Sequence, residues 1–228
     1  MRNRRLWLLV FCVFSIASAV AQTGGQRSFP RLNFNVGGGF GLGRGAVGSF
    51  VGDSFFGVAG AGMNFSRMFG FNAEYMYYDL PIRTSVRNSQ GLGDTTGSLN
   101  AISLDGIVRP PIHWGRWGTY GIFGVGFYRR NVTSTTGPLQ TGATCQPSWV
   151  WWDIQCSLSS PSGPPGADPG QTLASFSKIA GGYNYGGGLT YRLHRFHDAR
   201  LYAEYRYHKA YHSDVQTEVW PITVGLRW

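Results

Sequence analysis

Apolar and polar residues alternate with a period of two along eight separate stretches of this chain, a pattern that strands produce and helices do not. In the first, Leu32, Phe34, Val36, Phe40 and Leu42 alternate with Asn33, Asn35, Gly37, Gly39, Gly41 and Gly43. The second, Phe55 to Phe65, puts Phe55, Ala59, Ala61, Met63 and Phe65 on one side, and the third sets Phe71, Ala73, Tyr75 and Tyr77 against Asn72, Glu74 and Met76. In the fourth, Ile102, Leu104, Gly106 and Val108 oppose Ser103, Asp105 and Arg109. The fifth, Thr119 to Arg129, is open in register: Phe123, Val125 and Phe127 are the favoured outward set, but Tyr120, Ile122 and Tyr128 would also serve. The sixth, Lys178 to Arg192, opposes Ile179, Tyr183, Tyr185, Leu189 and Tyr191 to Lys178, Asn184, Thr190 and Arg192; the seventh runs from Leu201 to Tyr207. The last, Trp220 to Trp228, sets Ile222, Val224, Leu226 and Trp228 against Thr223, Gly225 and Arg227. In water such apolar faces need a second sheet to cover them, whereas in a membrane lipid does so.

The connections decide between these settings. The first, third, fifth and seventh are variable and often long, while the second, fourth and sixth are short, closing at Gly70, Gly118 and Asp198. Pro110-Pro111 ends the fourth stretch, because proline brings no N–H to a ladder. The alternation predicts an all-β fold: an eight-stranded antiparallel up-and-down transmembrane β-barrel with short periplasmic turns and longer extracellular loops. Residues 31–228 form the barrel, 130–177 its long extracellular loop, and closure pairs the last strand with Leu32 to Gly43. An even strand count leaves both termini on the periplasmic side.

Composition agrees. Charged residues make up 14% of the 228, against about 25% in ordinary soluble domains. Aromatics reach 15%, with 12 Tyr and 8 Trp, which suits girdles at the membrane interfaces. No apolar run reaches the ~18 residues of a membrane helix. Gly37-Gly38-Gly39 lacks the following helix and Lys-Ser/Thr of a phosphate loop.

Residues 1–21 read as a cleaved signal peptide: Arg2, Arg4 and Arg5, then an apolar run from Leu6 to Ile16, then Ala19-Val20-Ala21 before Gln22. Residues 22–30 are a periplasmic lead. Removal of the three arginines lowers the formal charge from +9 to +6. With no basic run or recognisable motif, nucleic acid is not an expected partner. Removal of Cys12 leaves Cys145 and Cys156, an even number in an oxidising compartment, and a disulfide is expected between them.

The alternation ending on Trp228 is similar to the C-terminal assembly signal of bacterial outer-membrane barrels, with Ile222, Val224, Leu226 and Trp228 as its positions. Ala73-Glu74-Tyr75-Met76-Tyr77 recurs in outline as Ala203-Glu204-Tyr205-Arg206-Tyr207. With the strand architecture, these motifs make residues 30–228 resemble the small eight-stranded outer-membrane β-barrel proteins, the OmpA-like and OmpX-like group. The resemblance implies residence in the bacterial outer membrane, insertion by the barrel-assembly machinery, and contact with outer-membrane lipid and lipopolysaccharide. It also implies loop-mediated adhesion for some members. The barrel pattern runs to Trp228, so the peptidoglycan-binding domain of some relatives is not expected.

The candidate chemistry is inside. Glu74, Asp105 and Glu204 share the predicted lumen with Arg109, Lys178, Arg192 and Arg206, and an interior of eight strands has room for little beyond side chains, so these charges must pair. A closed, salt-bridged plug is expected; a narrow gated pore for small solutes is the alternative. Catalysis is not expected. A lipid-A or phospholipid-modifying enzyme would need His212 and Ser213 to share a proton, with Asp214 and Glu218 nearby, yet neighbours on a strand point apart. The pairs His208 with His212 and His194 with His197 lack a completing Cys or carboxylate, so they read as solvated histidines, and neither metal nor cofactor is expected. Trp149, Trp151 and Trp152 in the long loop either pack within it or contact an unidentified surface ligand. The resulting expectation is a structural outer-membrane barrel with a loop-mediated surface role.

Overall fold

The computed structural model describes residues 31–44, 48, 51–85, 94–135, 143–147, 154–158, 172–194, 199–212 and 216–228, and every structural statement concerns these. The signal-peptide and lead segments, residues 1–30, fall outside them.

The strands are β1 (Leu32–Arg44), β2 (Ser54–Asn64), β3 (Phe69–Pro81), β4 (Thr95–Val108), β5 (His113–Trp114), β6 (Trp117–Thr135), β7 (Ala143–Pro147), β8 (Ile154–Leu158), β9 (Thr172–Arg192), β10 (Arg200–Ala210) and β11 (Thr217–Arg227). Every pairing is antiparallel; β5 is a two-residue addition to β6 and β7 pairs only with β8, while the other eight strands pair in sequence and β1 closes on β11 to make a complete barrel. The first and last predicted strands do close the ring. Stepping sideways from Phe34 through Ala61, Ala73, Leu104, Val125, Tyr183, Lys209 and Glu218 returns to β1 at Arg44, ten residues higher. Such a shear tilts strands by about 35–45° to the axis, and it leaves an interior that side chains fill.

The inward glycines are part of that filling. A Cβ on Gly124 would collide with Asp105 Oδ1, and one on Gly188 would lie 2.7 Å from the Tyr120 hydroxyl. These positions are left bare because large side chains from other strands occupy the space.

Most strands exceed their predicted lengths at the extracellular end. Residues 130–135 and 172–177, expected in the long loop, instead continue β6 and β9. Thr135 opposite Thr172 is the last pair of that ladder. Between them β7 and β8 form a separate two-stranded sheet whose register sets Cys145 directly opposite Cys156. Trp149, Trp151 and Trp152 lie outside the described residues. The open register of the fifth predicted strand resolves with Phe123, Val125 and Phe127 outward and Tyr120, Ile122 and Tyr128 buried inside.

The outer wall changes character with height. Along β6 the outward side chains between Trp117 and Phe127 are mainly apolar, as are those from Trp220 to Trp228 at the end of the chain, close to the roughly 9–11 tilted residues that cross a bilayer. Above Phe127 they become Arg129, Asn131 and Thr133; on β4, Ile102 gives way to Asn100, Ser98 and Thr96. This polar outer surface is cross-linked: Arg129 Nε donates to Ser177 Oγ at 2.8 Å, and the Tyr75 hydroxyl to Asn100 Oδ1 at 2.6 Å. Behind it the interior turns apolar, with Val51, Leu80, Ile82, Leu99 and Val132 buried in one cluster.

Candidate functional site

Arg206 is the hub of the lumen. Strand parity aims it inward from β10, and its side chain is 3% exposed. Its Nη1 lies 2.7 Å from Glu74 Oε2 and 3.3 Å from Asp105 Oδ2, while its Nε donates to Glu204 Oε1. In the ring β3 stands opposite β10, so the Arg206–Glu74 pair crosses the full width of the barrel.

Each carboxylate has further donors, as a buried charge requires. Glu74 Oε1 accepts from Asn35 Nδ2 at 2.9 Å and from Asn72 Nδ2 at 2.8 Å. Asp105 accepts from Ser103 Oγ and Asn184 Nδ2, both at 2.8 Å. Glu204 Oε2 accepts the Tyr120 hydroxyl at 2.7 Å. Through these contacts six of the eight barrel strands meet at the three carboxylates, β1, β3, β4, β6, β9 and β10, and the ion pair of Arg227 with Glu204 adds β11.

The inferred network is thus partly realised. Glu74, Asp105, Glu204 and Arg206 come together. Arg109, Lys178 and Arg192 do not join them. Arg109 lies beyond the end of β4, where its Nη1 donates to Asn64 Oδ1 at 2.9 Å. Lys178 stands beside Arg130, high in the barrel, and Arg192 lies at the lower end of β9. Parity tells which face a residue takes but not its height, and these three share the right face at the wrong level. Arg227, which parity sets on the polar face of the last strand, is a member outside the inferred network. Its guanidinium lies between the rings of Tyr120 (4.6 Å) and Tyr202 (5.0 Å), with Nη2 3.8 Å from Glu204 Oε2.

The histidines correct another expectation. His208 is 2% exposed and His212 5%, so neither is a solvated loop residue. The Tyr128 hydroxyl and His208 Nδ1 are 3.0 Å apart, and His212 Nδ1 is 3.3 Å from Thr217 Oγ1. A strand longer than expected, continuing to Ala210, carries His208 onto the inner wall. Among the described residues no three His, Cys, Asp or Glu side chains gather as metal ligands. Ser213 and Asp214 lie outside the described residues, and Glu218 is 3.2 Å from Lys209 Nζ.

Above the charge layer the plug continues in apolar material. Phe56 and Tyr78 stack with ring centroids 4.7 Å apart, and Met76, Leu99 and Ala101 are buried beside them. Higher still Arg130 is fully buried, with Nη1 3.3 Å from Thr217 Oγ1.

A closed eight-stranded ring with a lipid-facing outer wall agrees with sequence similarity. The model of the outer membrane protein beta-barrel domain matches residues 9–227. The chain belongs to that family. It is an outer-membrane β-barrel protein of bacteria. No curated protein matches it by sequence. Among solved structures it is similar to the neisserial surface protein A, NspA, at 14% identity over 86% of this chain and 95% of that one, with a TM-score of 0.53. A major outer membrane protein from Thermus thermophilus matches at 12% identity, covering 86% of this barrel protein and 98% of that chain, with a TM-score of 0.51. The attachment invasion locus protein Ail of Yersinia pestis covers 88% of this chain and all of its own at 14% identity, with a TM-score of 0.47. At these identities the likeness is one of fold.

Proposed function

We propose that this outer-membrane protein is a closed structural barrel that presents the β6–β9 blade and its connecting loop for contact at the cell surface. The observation that supports closure is Arg206, which joins Glu74, Asp105 and Glu204 across the lumen beneath a second, apolar layer. A gated pore would require both layers to part. Single-channel recording in planar bilayers tests this: current at background is expected, and steady conductance would favour the narrow solute pore.

The surface role draws on the wall above the membrane. Residues 172–180 of β9 pair with β6 on one side and, among the described residues, with no strand on the other. A strand edge of this kind can accept an extended segment of a partner. The direct Cys145–Cys156 pairing supports a disulfide between β7 and β8, since opposed residues of an antiparallel ladder have Cα atoms about 4.5–5.5 Å apart, within disulfide range. Intact-mass analysis with and without reductant reads that bond. Trp149, Trp151 and Trp152 are the proposed contact residues of the loop. Deleting residues 138–170 is expected to leave a heat-modifiable barrel and abolish adhesion; unchanged attachment would remove the surface role. The same proposal includes export by cleavage after Ala21, membrane insertion through the assembly machinery with Ile222, Val224, Leu226 and Trp228 as the signal, and lipopolysaccharide as the neighbouring lipid. No catalytic step is part of it.

A further inference from the structure

His208 is a buried ionisable group at the seam of the two layers that close the lumen. β10 carries it on the inner wall two residues above Arg206, beneath the apolar layer that holds Phe56, Met76 and Tyr78. Its Nδ1 lies 3.0 Å from the Tyr128 hydroxyl, and the two rings meet edge to face with centroids 5.9 Å apart. Its Nε2 is buried with no hydrogen-bond partner. A hydroxyl can donate or accept, so Tyr128 satisfies Nδ1 in either neutral tautomer, and Nε2 is left over in both.

Across the ladder a second atom is left over. Asn184 is the direct partner of His208 in register; its Nδ2 donates to Asp105 Oδ1 at 2.8 Å, whereas its Oδ1 is buried without a donor. Asp105 is one of the three carboxylates that hold Arg206. One amide therefore links the histidine to the hub.

The inward charged and titratable groups around His208 are Arg206 and Glu204 below it on β10, Tyr128 and Arg130 on β6, Glu74 and Tyr78 on β3, and Asp105 on β4. β9 and β11 present Asn184 and Val219 opposite it, and His212 and Lys178 lie higher. All three carboxylates are already engaged by Arg206. A proton on His208 thus sets a second buried cation beside Arg206 with no carboxylate of its own, an arrangement that a low-dielectric interior disfavours. The added N–H calls for an acceptor. Asn184 Oδ1 is the unpartnered oxygen opposite, and turning the amide to it draws Nδ2 away from Asp105.

We propose that His208 is an acid-sensitive latch of the lumen: while it is neutral the two layers stay closed, and when it is protonated they part and small ions pass. This rests on the closed-barrel reading above. In the open state the imidazole meets water and takes a proton below about pH 6.5. One proton gained on opening shifts the open-to-closed ratio by up to about tenfold per pH unit below that value, so closure holds at pH 7 and is lost as pH falls.

Purified protein in planar bilayers is recorded between pH 7 and pH 5, above the ordinary carboxylate range near about 4. Background current is expected at pH 7, with openings that grow up to about thirtyfold by pH 5. His208→Gln, whose amide can still meet Tyr128 but takes no proton, is expected to stay at background throughout. A parent silent at both ends of the range overturns the latch and leaves the closed barrel standing. An equal acid response in His208→Gln also overturns it and assigns the response to the carboxylates; His208→Asn serves in its place if the glutamine variant lacks heat-modifiable migration. Steady current already at pH 7 overturns the closed barrel, and the latch with it.

Discussion

Two levels of one barrel use opposite rules. Below Phe127 the inner wall carries Arg206, Glu74, Asp105 and Glu204 while the outer wall carries Phe123, Val125, Ile222 and Val224. Above it the inner wall carries Leu80, Leu99 and Val132, and the outer wall Arg129, Asn131 and Thr133. Single strands pass through both regimes: the outer face of β6 turns from Phe123, Val125 and Phe127 to Arg129, Asn131 and Thr133 without a break in its ladder, while its inner face carries Tyr120 and Ile122 below and Arg130, Val132 and Ser134 above. The cause is the medium outside. Lipid rewards an apolar exterior and leaves the enclosed space to polar groups that pair among themselves; water above the membrane demands an ordinary apolar core. The upper barrel is like a small water-soluble β-barrel standing on a membrane one, with Arg130 and the Thr95–Ser134 pair enclosed beside its apolar cluster.

The comparison is broken most severely in the lower level. Arg206→Ala leaves three buried carboxylates without their hub and is expected to cost about 3–5 kcal/mol, read as a lower urea midpoint in lipid vesicles. Combining Arg206→Met with Glu74→Gln and Glu204→Gln should recover most of that loss, because far less unpaired charge then remains. In the upper level Leu99→Ala, at a position 1% exposed, is expected to cost about 2–5 kcal/mol as a core cavity. A cost near zero there would mean that the upper interior is wet rather than packed.

Outward substitutions sharpen the boundary. Val125→Arg should cost about 2–4 kcal/mol by placing a charge in lipid, whereas Asn131→Arg, three dyads higher on the same face, should fall within about 0–1 kcal/mol. Equal costs would erase the boundary drawn at Phe127. The smallest effect is expected from Glu218→Gln, which removes the partly exposed partner of Lys209: below about 1 kcal/mol, and vanishing at high salt.

Period-two alternation was enough to name the strands, their order and their closure, because lipid enforces one apolar face over a whole bilayer thickness and leaves a long, regular signal. It also placed Glu74, Asp105, Glu204 and Arg206 on the inner wall. The ends of the strands were less legible. Residues 130–135 and 172–177 read as loop because their outward positions include Asn131, Thr133, Ser175 and Ser177, although a strand rising into water is expected to look so. His208 and His212 were hidden for the same reason.

By itself, the sequence determined an eight-stranded barrel, the side taken by residues of every strand but the fifth predicted one, and the compartment it inhabits, since those depend on local alternation and on the surrounding medium. Height was decided only by the tertiary structure. A shear of ten places residues that share a parity at different levels, so Arg206 reaches Glu74 across the lumen while Arg192, Arg200 and Arg227 stand in one row at the lower end of the barrel. No pattern within a single strand contains that offset, because it arises only when the ring closes.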